Sequence, residues 1–136
     1  MKKKRSKKLD IYEQHKQAYW RAHDVALPMR ERFPSLASLS IHMDFENPDW
    51  GGNPSPMQQH FGPEDKAFFE VQCPHWECIK GGFNLLEAVS KLVNDRLEDA
   101  TGTITCQGWQ DRERIGRHRC LLKMNYKIAA AYAKDG

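Results

Sequence analysis

The chain predicts an α+β domain: a four-stranded, mostly antiparallel sheet with two helices on one face, in the order helix, strand, strand, helix, strand, strand. Three observations predict it. Apolar residues step by three and four along two segments, they alternate with polar residues along four others, and glycine and proline gather in the connections. At 136 residues, with 40% hydrophobic and 29% charged side chains, the chain is long enough for one core and has the make-up of a soluble globular protein.

A basic start precedes the first helix. Residues 1–8 are expected as a disordered tail, because six of them are Lys or Arg and only Met1 is apolar. That tail distorts the formal charge of +3: without its six cations, 15 basic residues face 18 acidic ones, so the body, one domain over 9–136, carries about −3. Asp10, Glu13, Gln14 and Lys16 stand where a signal peptide would need apolar residues, and no run approaches the ~18 apolar residues of a membrane span. A cytoplasmic protein with no membrane partner is therefore expected. From Leu9 onward, Ile11, His15, Ala18, Ala22, Val25 and Met29 form a helical stripe, with Tyr12 and Tyr19 beside it. Pro28 should end that helix near Ala26, since it lacks an N–H and clashes with the preceding turn.

The period then changes. Leu39, Ile41, Met43 and Phe45 alternate with Ser38, Ser40, His42 and Asp44, which predicts a strand over 37–45 with one buried face. The following stretch, 46–65, holds Pro48, Gly51, Gly52, Pro54, Pro56, Gly62 and Pro63 and reads as a long loop. A second strand is expected over 66–73, with Ala67, Phe69, Val71 and Cys73 facing inward. The second helix has Asn84 as N-cap, Glu87 three residues later, and an apolar stripe of Leu85, Leu86, Val89, Leu92, Val93 and Leu97, with Gly102 suited to the left-handed residue that ends it. Strands over 103–107 and 120–132 complete the order, and pairing Cys106 with Cys120 and Ile104 with Leu122 puts all four on one face.

Four cysteines, Cys73, Cys78, Cys106 and Cys120, carry the chemistry. In a reducing compartment such residues serve as metal ligands or inert core more often than as disulfides. Cys73-Pro74-His75-Trp76-Glu77-Cys78 has the two-to-four-residue separation of a ligand pair, and two further thiolates from a hairpin would complete the tetrahedron of a closed structural zinc site. Gly81 and Gly82 follow, where a chain wrapping a metal has to bring backbone close to sulfur. Two other readings remain open: a mixed site in which His75 or His118 replaces a cysteine, and no metal, with Cys106 and Cys120 as core residues or a cross-strand disulfide. Trp76 could cap the site against water or be turned outward as an anchor for a partner.

Catalysis finds little support. Four cysteines leave no open metal position, so a metallo-hydrolase using Glu77 would need a different ligand set. The sequence lacks a Gly-x-Ser-x-Gly nucleophile turn, a C-x-x-C redox motif, a P-loop and a dinucleotide fingerprint. Between the last two cysteines, however, Trp109 accompanies Arg112, Arg114, Arg117 and Arg119. Guanidinium forks bind phosphate and an exposed indole stacks on a base, so this segment is a candidate nucleic-acid contact; the plainer reading pairs these arginines with Asp111 and Glu113.

Over Cys73 to Cys120 the arrangement resembles zinc-ribbon and treble-clef domains, in which a knuckle and a hairpin supply two cysteines each. Those domains show C-x₂-C with glycine directly after, whereas here the loop is longer and Ile79 and Lys80 precede Gly81. The expected function is a non-enzymatic, structurally zinc-bound domain that contacts nucleic acid through the basic hairpin loop. The alternative is a protein-interaction or assembly module using the 46–65 loop and Trp76, with or without metal.

Overall fold

The computed structural model describes residues 7–47, 52–75, 78, 81–108 and 120–134, and side chains throughout these except at 7–13 and 15. The elements are α1 (Lys7–Val25), α2 (Met29–Arg32), β1 (Leu36–Glu46), β2 (Met57–Phe61), β3 (Glu70–Gln72), β4 (Gly82–Asn84), α3 (Leu86–Asn94), β5 (Asp99–Thr105) and β6 (Lys123–Tyr132). The architecture is α+β around a four-stranded antiparallel sheet of order β2-β1-β6-β5, with β3 and β4 forming a separate two-stranded sheet.

The expected αββαββ order is corrected at three places, one of them β4, which pairs with β3 where only a glycine turn into the second helix was expected. Met57–Phe61, inside the supposed 46–65 loop, is the strand that borders β1, in register from Leu39↔Phe61 to Met43↔Met57. Its flanking prolines read as loop, yet β1 offers it a complete ladder. The expected strand over 66–73 shrinks to β3, because its first half is taken elsewhere: Ala67 N–H donates to Leu27 O at 2.7 Å, and the Lys66 ammonium donates to Asp24 O and Ala26 O at 2.8 and 3.1 Å. Burial still alternates there as predicted, with Ala67, Phe69 and Val71 all inside.

The sheet's inner face holds Leu39, Ile41, Met43 and Phe45 of β1 against Met124 and Ile128 of β6, all of them buried. Val89 and Leu92 of α3, and Val71 and Phe83 of the small sheet, close the same core. A fully buried aliphatic or thioether side chain contributes about 1.5–3 kcal/mol, so this cluster dominates the fold. The outer face is polar, with Ser40, His42, Asp44, Lys123, Asn125 and Lys127 on it.

The two longer helices, α1 and α3, do not share the core equally. α1 meets the body through Tyr19 and His23, one turn apart, whose rings pack edge-on against Phe68, while the Tyr19 hydroxyl donates to Glu70 O at 2.9 Å. Ala18 and Val25 of the expected stripe are exposed, and the side chains of Ile11 and His15 lie outside the described residues. Tyr19 and His23 therefore dock the helix, and Met29 of the expected stripe is buried in α2. α3 ends earlier than Gly102. Leu97 N–H donates to Leu92 O at 2.9 Å and Arg96 N–H to Val93 O at 3.0 Å, a Schellman turn with Arg96 at φ 50° in the left-handed position. Gly102 lies within β5, opposite Tyr126. At the helix start the N-cap is Leu85, one residue after the expected Asn84, and has no side-chain capping bond; Asn84 ends β4, and its side chain accepts the Leu86 N–H at 2.9 Å.

Candidate metal centre

The β3–β4 and β5–β6 hairpins meet at their loop ends, and all four cysteines lie there. Cys73 follows β3 and Cys78 sits in the loop before β4, while Cys106 follows β5 and Cys120 precedes β6. Their four sulfurs lie within 4.8 Å of one another, with Cys73 Sγ to Cys120 Sγ and Cys78 Sγ to Cys106 Sγ both at 3.6 Å. A tetrahedron with metal–sulfur bonds of about 2.3 Å has edges of about 3.8 Å, so the donor set fits a metal ion. Cys106 and Cys120 are buried, and Cys73 and Cys78 half-buried. His75 is buried beside them but is not among the grouped ligands. His118, the other mixed-site candidate, lies outside the described residues.

The hairpin register differs from the expected one by two residues. Ile104 faces Met124 and Thr105 faces Lys123; beyond the strand, Cys106 N–H donates to Leu122 O and Cys120 N–H to Gly108 O, each at 2.8 Å. Cys106 thus stands across from Leu122, not Cys120. Side-chain parity survives a two-residue slip, so both cysteines stay on the inner face, but the directly opposed pair that a cross-strand disulfide would use is gone. None of the four cysteines is in a disulfide.

Two glycines make the convergence possible. A Cβ on Gly81 would lie 2.2 Å from Cys78 Sγ and 2.4 Å from Cys106 Sγ, and one on Gly108 would lie 2.6 Å from Gly81 Cα and 2.7 Å from Cys78 Sγ. The sequence reading singled out Gly81 and missed Gly108. Its signal was available in Cys106-Gln107-Gly108, half of a knuckle, in which the amide two residues on turns back to sulfur: Gly108 N–H donates to Cys106 Sγ at 3.4 Å. The backbone of His75, also two residues on, does the same for Cys73. Amide donors aimed at sulfur stabilise thiolate over thiol, and core packing alone does not call for them.

The thiols are electrostatically unequal. Hydrogen bonding from Cys120, followed by Cys73 and Cys78, holds the Cys106 sulfur well below the ordinary thiol range. Cys73 and Cys78 are pushed well above it, in each case chiefly by their bond to Cys106. Cys120 is lowered as well, its bond to Cys106 outweighed by those to Cys73 and Cys78; the cluster divides into two lowered and two raised sulfurs, because four adjacent thiolates would repel without a cation between them. A divalent or trivalent ion removes that conflict.

The other residues singled out from sequence are scattered or lie outside the described residues. His42 is exposed beside Asp44 at 3.4 Å, and His60 is bonded to Ser40 Oγ at 3.1 Å. Trp50, Trp76, Glu77, Trp109, Asp111, Arg112, Glu113, Arg114, Arg117 and Arg119 all fall outside the described residues. Among the described residues no helix is long and apolar enough to cross a membrane. No family model, curated protein or solved structure matches the chain.

Proposed function

We propose that the chain is a non-enzymatic metal-binding domain in which Cys73, Cys78, Cys106 and Cys120 hold one structural zinc ion. The single observation that carries this is the convergence of four sulfurs within 4.8 Å from two separate hairpins. A thiolate set selects zinc or iron over hard cations, and a closed set of four leaves no position for substrate, which favours structure over catalysis. Elemental analysis of freshly purified protein tests it. About one zinc per chain, with loss of cooperative folding on chelation, is expected. Metal-free protein with four titratable thiols and an unchanged melting point overturns it.

The proposal extends to nucleic-acid contact by the basic segment with Trp109, Arg112, Arg114, Arg117 and Arg119. Its support is positional. The bond from Cys120 N–H to Gly108 O ties the two ends of this segment together directly beside the four sulfurs, so a bound metal would fix its base. Salt-dependent RNA or DNA binding that disappears when the four arginines become alanine is the expected result. Binding that survives those changes removes this part while leaving the zinc site standing.

A second reading, a protein-interaction module, has one observation in its favour. Trp20 and Val25 in the last turns of α1 and Leu27 just beyond it are 49%, 76% and 49% exposed, and exposed apolar surface can serve as a contact surface. Loss of a partner on Trp20→Ala, with zinc content and nucleic-acid binding unchanged, would establish it.

A further inference from the structure

The main sheet has two outer edges, and among the described residues only one is guarded. β2 is five residues long and flanked by Pro54, Pro56 and Pro63, and short edges beside prolines resist further pairing. β5 is seven residues, Asp-Ala-Thr-Gly-Thr-Ile-Thr, and contains no proline, no lysine and no register shift against β6. Such an edge is a template for another strand.

The ladder shows which backbone groups are open. Ala130 N–H donates to Glu98 O and Cys106 N–H to Leu122 O, which marks Glu98 and Cys106 as hydrogen-bonded positions facing β6. By the antiparallel alternation, Ala100, Gly102 and Ile104 also spend their backbone groups on β6, while Asp99, Thr101, Thr103 and Thr105 turn theirs outward. Among the described residues, the Gln107 side chain touches this edge, donating to Thr105 O at 3.3 Å. A carbonyl has a second lone pair to offer.

We infer that β5 pairs antiparallel with β5 of a second copy about a two-fold axis through Gly102, joining the two four-stranded sheets into one. Gly102 is the midpoint of Asp99–Thr105, so this register pairs the strand over its full length. Thr101 falls opposite Thr103 of the partner and Asp99 opposite Thr105, so every outward amide and carbonyl from Asp99 to Thr105 meets a partner. Threonine pairs across strands are favourable, and no like charges oppose. On the inner face Ala100 meets Ile104. Gly102 meets itself on the axis, at a non-hydrogen-bonded position, where backbones approach most closely and a side chain would crowd. The Tyr126 ring already lies over Gly102, since a Cβ there would sit 2.3 Å from its Oη, so the two rings come onto neighbouring strands and cover the axis. An isologous contact of this kind closes as a dimer and propagates no further.

Sedimentation equilibrium of the full chain, from micromolar to about millimolar, tests the pairing. Reversible dimerisation is expected for the natural chain. Thr101→Pro removes one outward amide from each copy without touching the β6 ladder and should abolish the dimer. Thr105→Lys places an ammonium opposite Asp99 of the partner and should tighten dimerisation roughly tenfold, while Thr105→Glu places a like charge there and should weaken it by a similar factor. Zinc content and far-ultraviolet dichroism report whether each variant is folded, and slowed hydrogen exchange at the Thr101 and Thr103 amides of the natural dimer reads the contact without any substitution. A chain that stays monomeric throughout, Thr105 variants that move in the same direction, or a dimer whose Thr101 and Thr103 amides exchange freely overturns the inference.

Discussion

Gly81 and Gly108 come from different hairpins and pack backbone to backbone, so closely that a Cβ on Gly108 would stand 2.6 Å from Gly81 Cα. Each also lies against Cys78 Sγ. This contact sets the distance at which the two cysteine-bearing loops meet. The convergence of the four sulfurs thus depends on two residues with no side chains as much as on the cysteines themselves.

Alanine at either position should therefore weaken zinc binding although no ligand is replaced. Backbone and sulfur cannot step aside as the end of a flexible side chain can, so Gly108→Ala should lower zinc affinity by roughly 10–100-fold, as loss of a ligand-supporting residue commonly does. Gly102→Ala is the control. Its Cβ would meet only the tip of the Tyr126 side chain, which can rotate, so zinc affinity should hold and stability should change by less than about 1 kcal/mol. Competition with a chromogenic chelator measures both, and equal effects at the two glycines would show that the hairpin contact does not matter.

Zinc binding should also release fewer than four protons per ion at neutral pH. Cys73 and Cys78 sit above the ordinary thiol range, whereas Cys106 and Cys120 sit below it. Only protonated thiols have protons to lose on ligation. Titration calorimetry in two buffers of different ionisation enthalpy counts them. Release of four would mean that the unloaded cluster holds no thiolate.

Much of this was legible in the sequence. Strict alternation from Leu39 to Phe45 located β1, and the parity of Cys120, Leu122, Met124 and Ile128 placed them on the inner face, because a side-chain period of two is imposed by the strand itself. β2 escaped notice since Met-Gln-Gln-His-Phe has neither β-branched residues nor a clear pattern; it is a strand because β1 has a free edge. The two-residue slip at Cys106 was equally hidden. Both registers keep the same faces buried, so hydrophobicity cannot choose between them, and the choice falls to the loop and to Gly108 N–H reaching Cys106 Sγ. Convergence of the cysteines could be anticipated from their number, but the glycine contact that permits it depends on two hairpins meeting in space.

Lys66 predicts a stability effect that no charge pairing explains. Its ammonium donates to Asp24 O and Ala26 O, at the end of α1 and just beyond it, where carbonyls lack helical partners and the dipole favours a cation. Lys66→Met keeps the stem and removes the donor, and should cost about 1–2 kcal/mol. Because carbonyls, not carboxylates, receive the ammonium, the loss should change little between pH 4 and 8. A loss that vanished at the acid end would point to a carboxylate partner instead.

The Arg96 turn allows two opposed effects to be separated. Arg96 holds φ 50°, a conformation that costs a non-glycine residue roughly 1–2 kcal/mol, yet its guanidinium lies 4.8 Å from the centre of the Tyr132 ring, a contact that returns about 0.5–1 kcal/mol. Glycine relieves the first and loses the second, whereas alanine loses the second and keeps the first. Chemical denaturation should therefore rank Arg96→Gly near the natural chain and Arg96→Ala about 1 kcal/mol below it. Tyr132→Phe probes the same corner, because the hydroxyl donates to Leu97 O at 2.7 Å and Leu92 O at 3.1 Å; it should cost about 1 kcal/mol, or roughly 3–6 °C of melting temperature. Burial, opposed by Arg96, raises the phenol's pKa above its usual value of 10. A raised folded-state pKa contributes stability below the unfolded value and loses it as pH climbs through the folded one, so the Tyr132→Phe difference should be constant through neutral pH and shrink only above about pH 10. If alanine and glycine at 96 prove equally destabilising, the turn is held by the Tyr132 hydroxyl and the ring contact alone, and the left-handed backbone carries no cost.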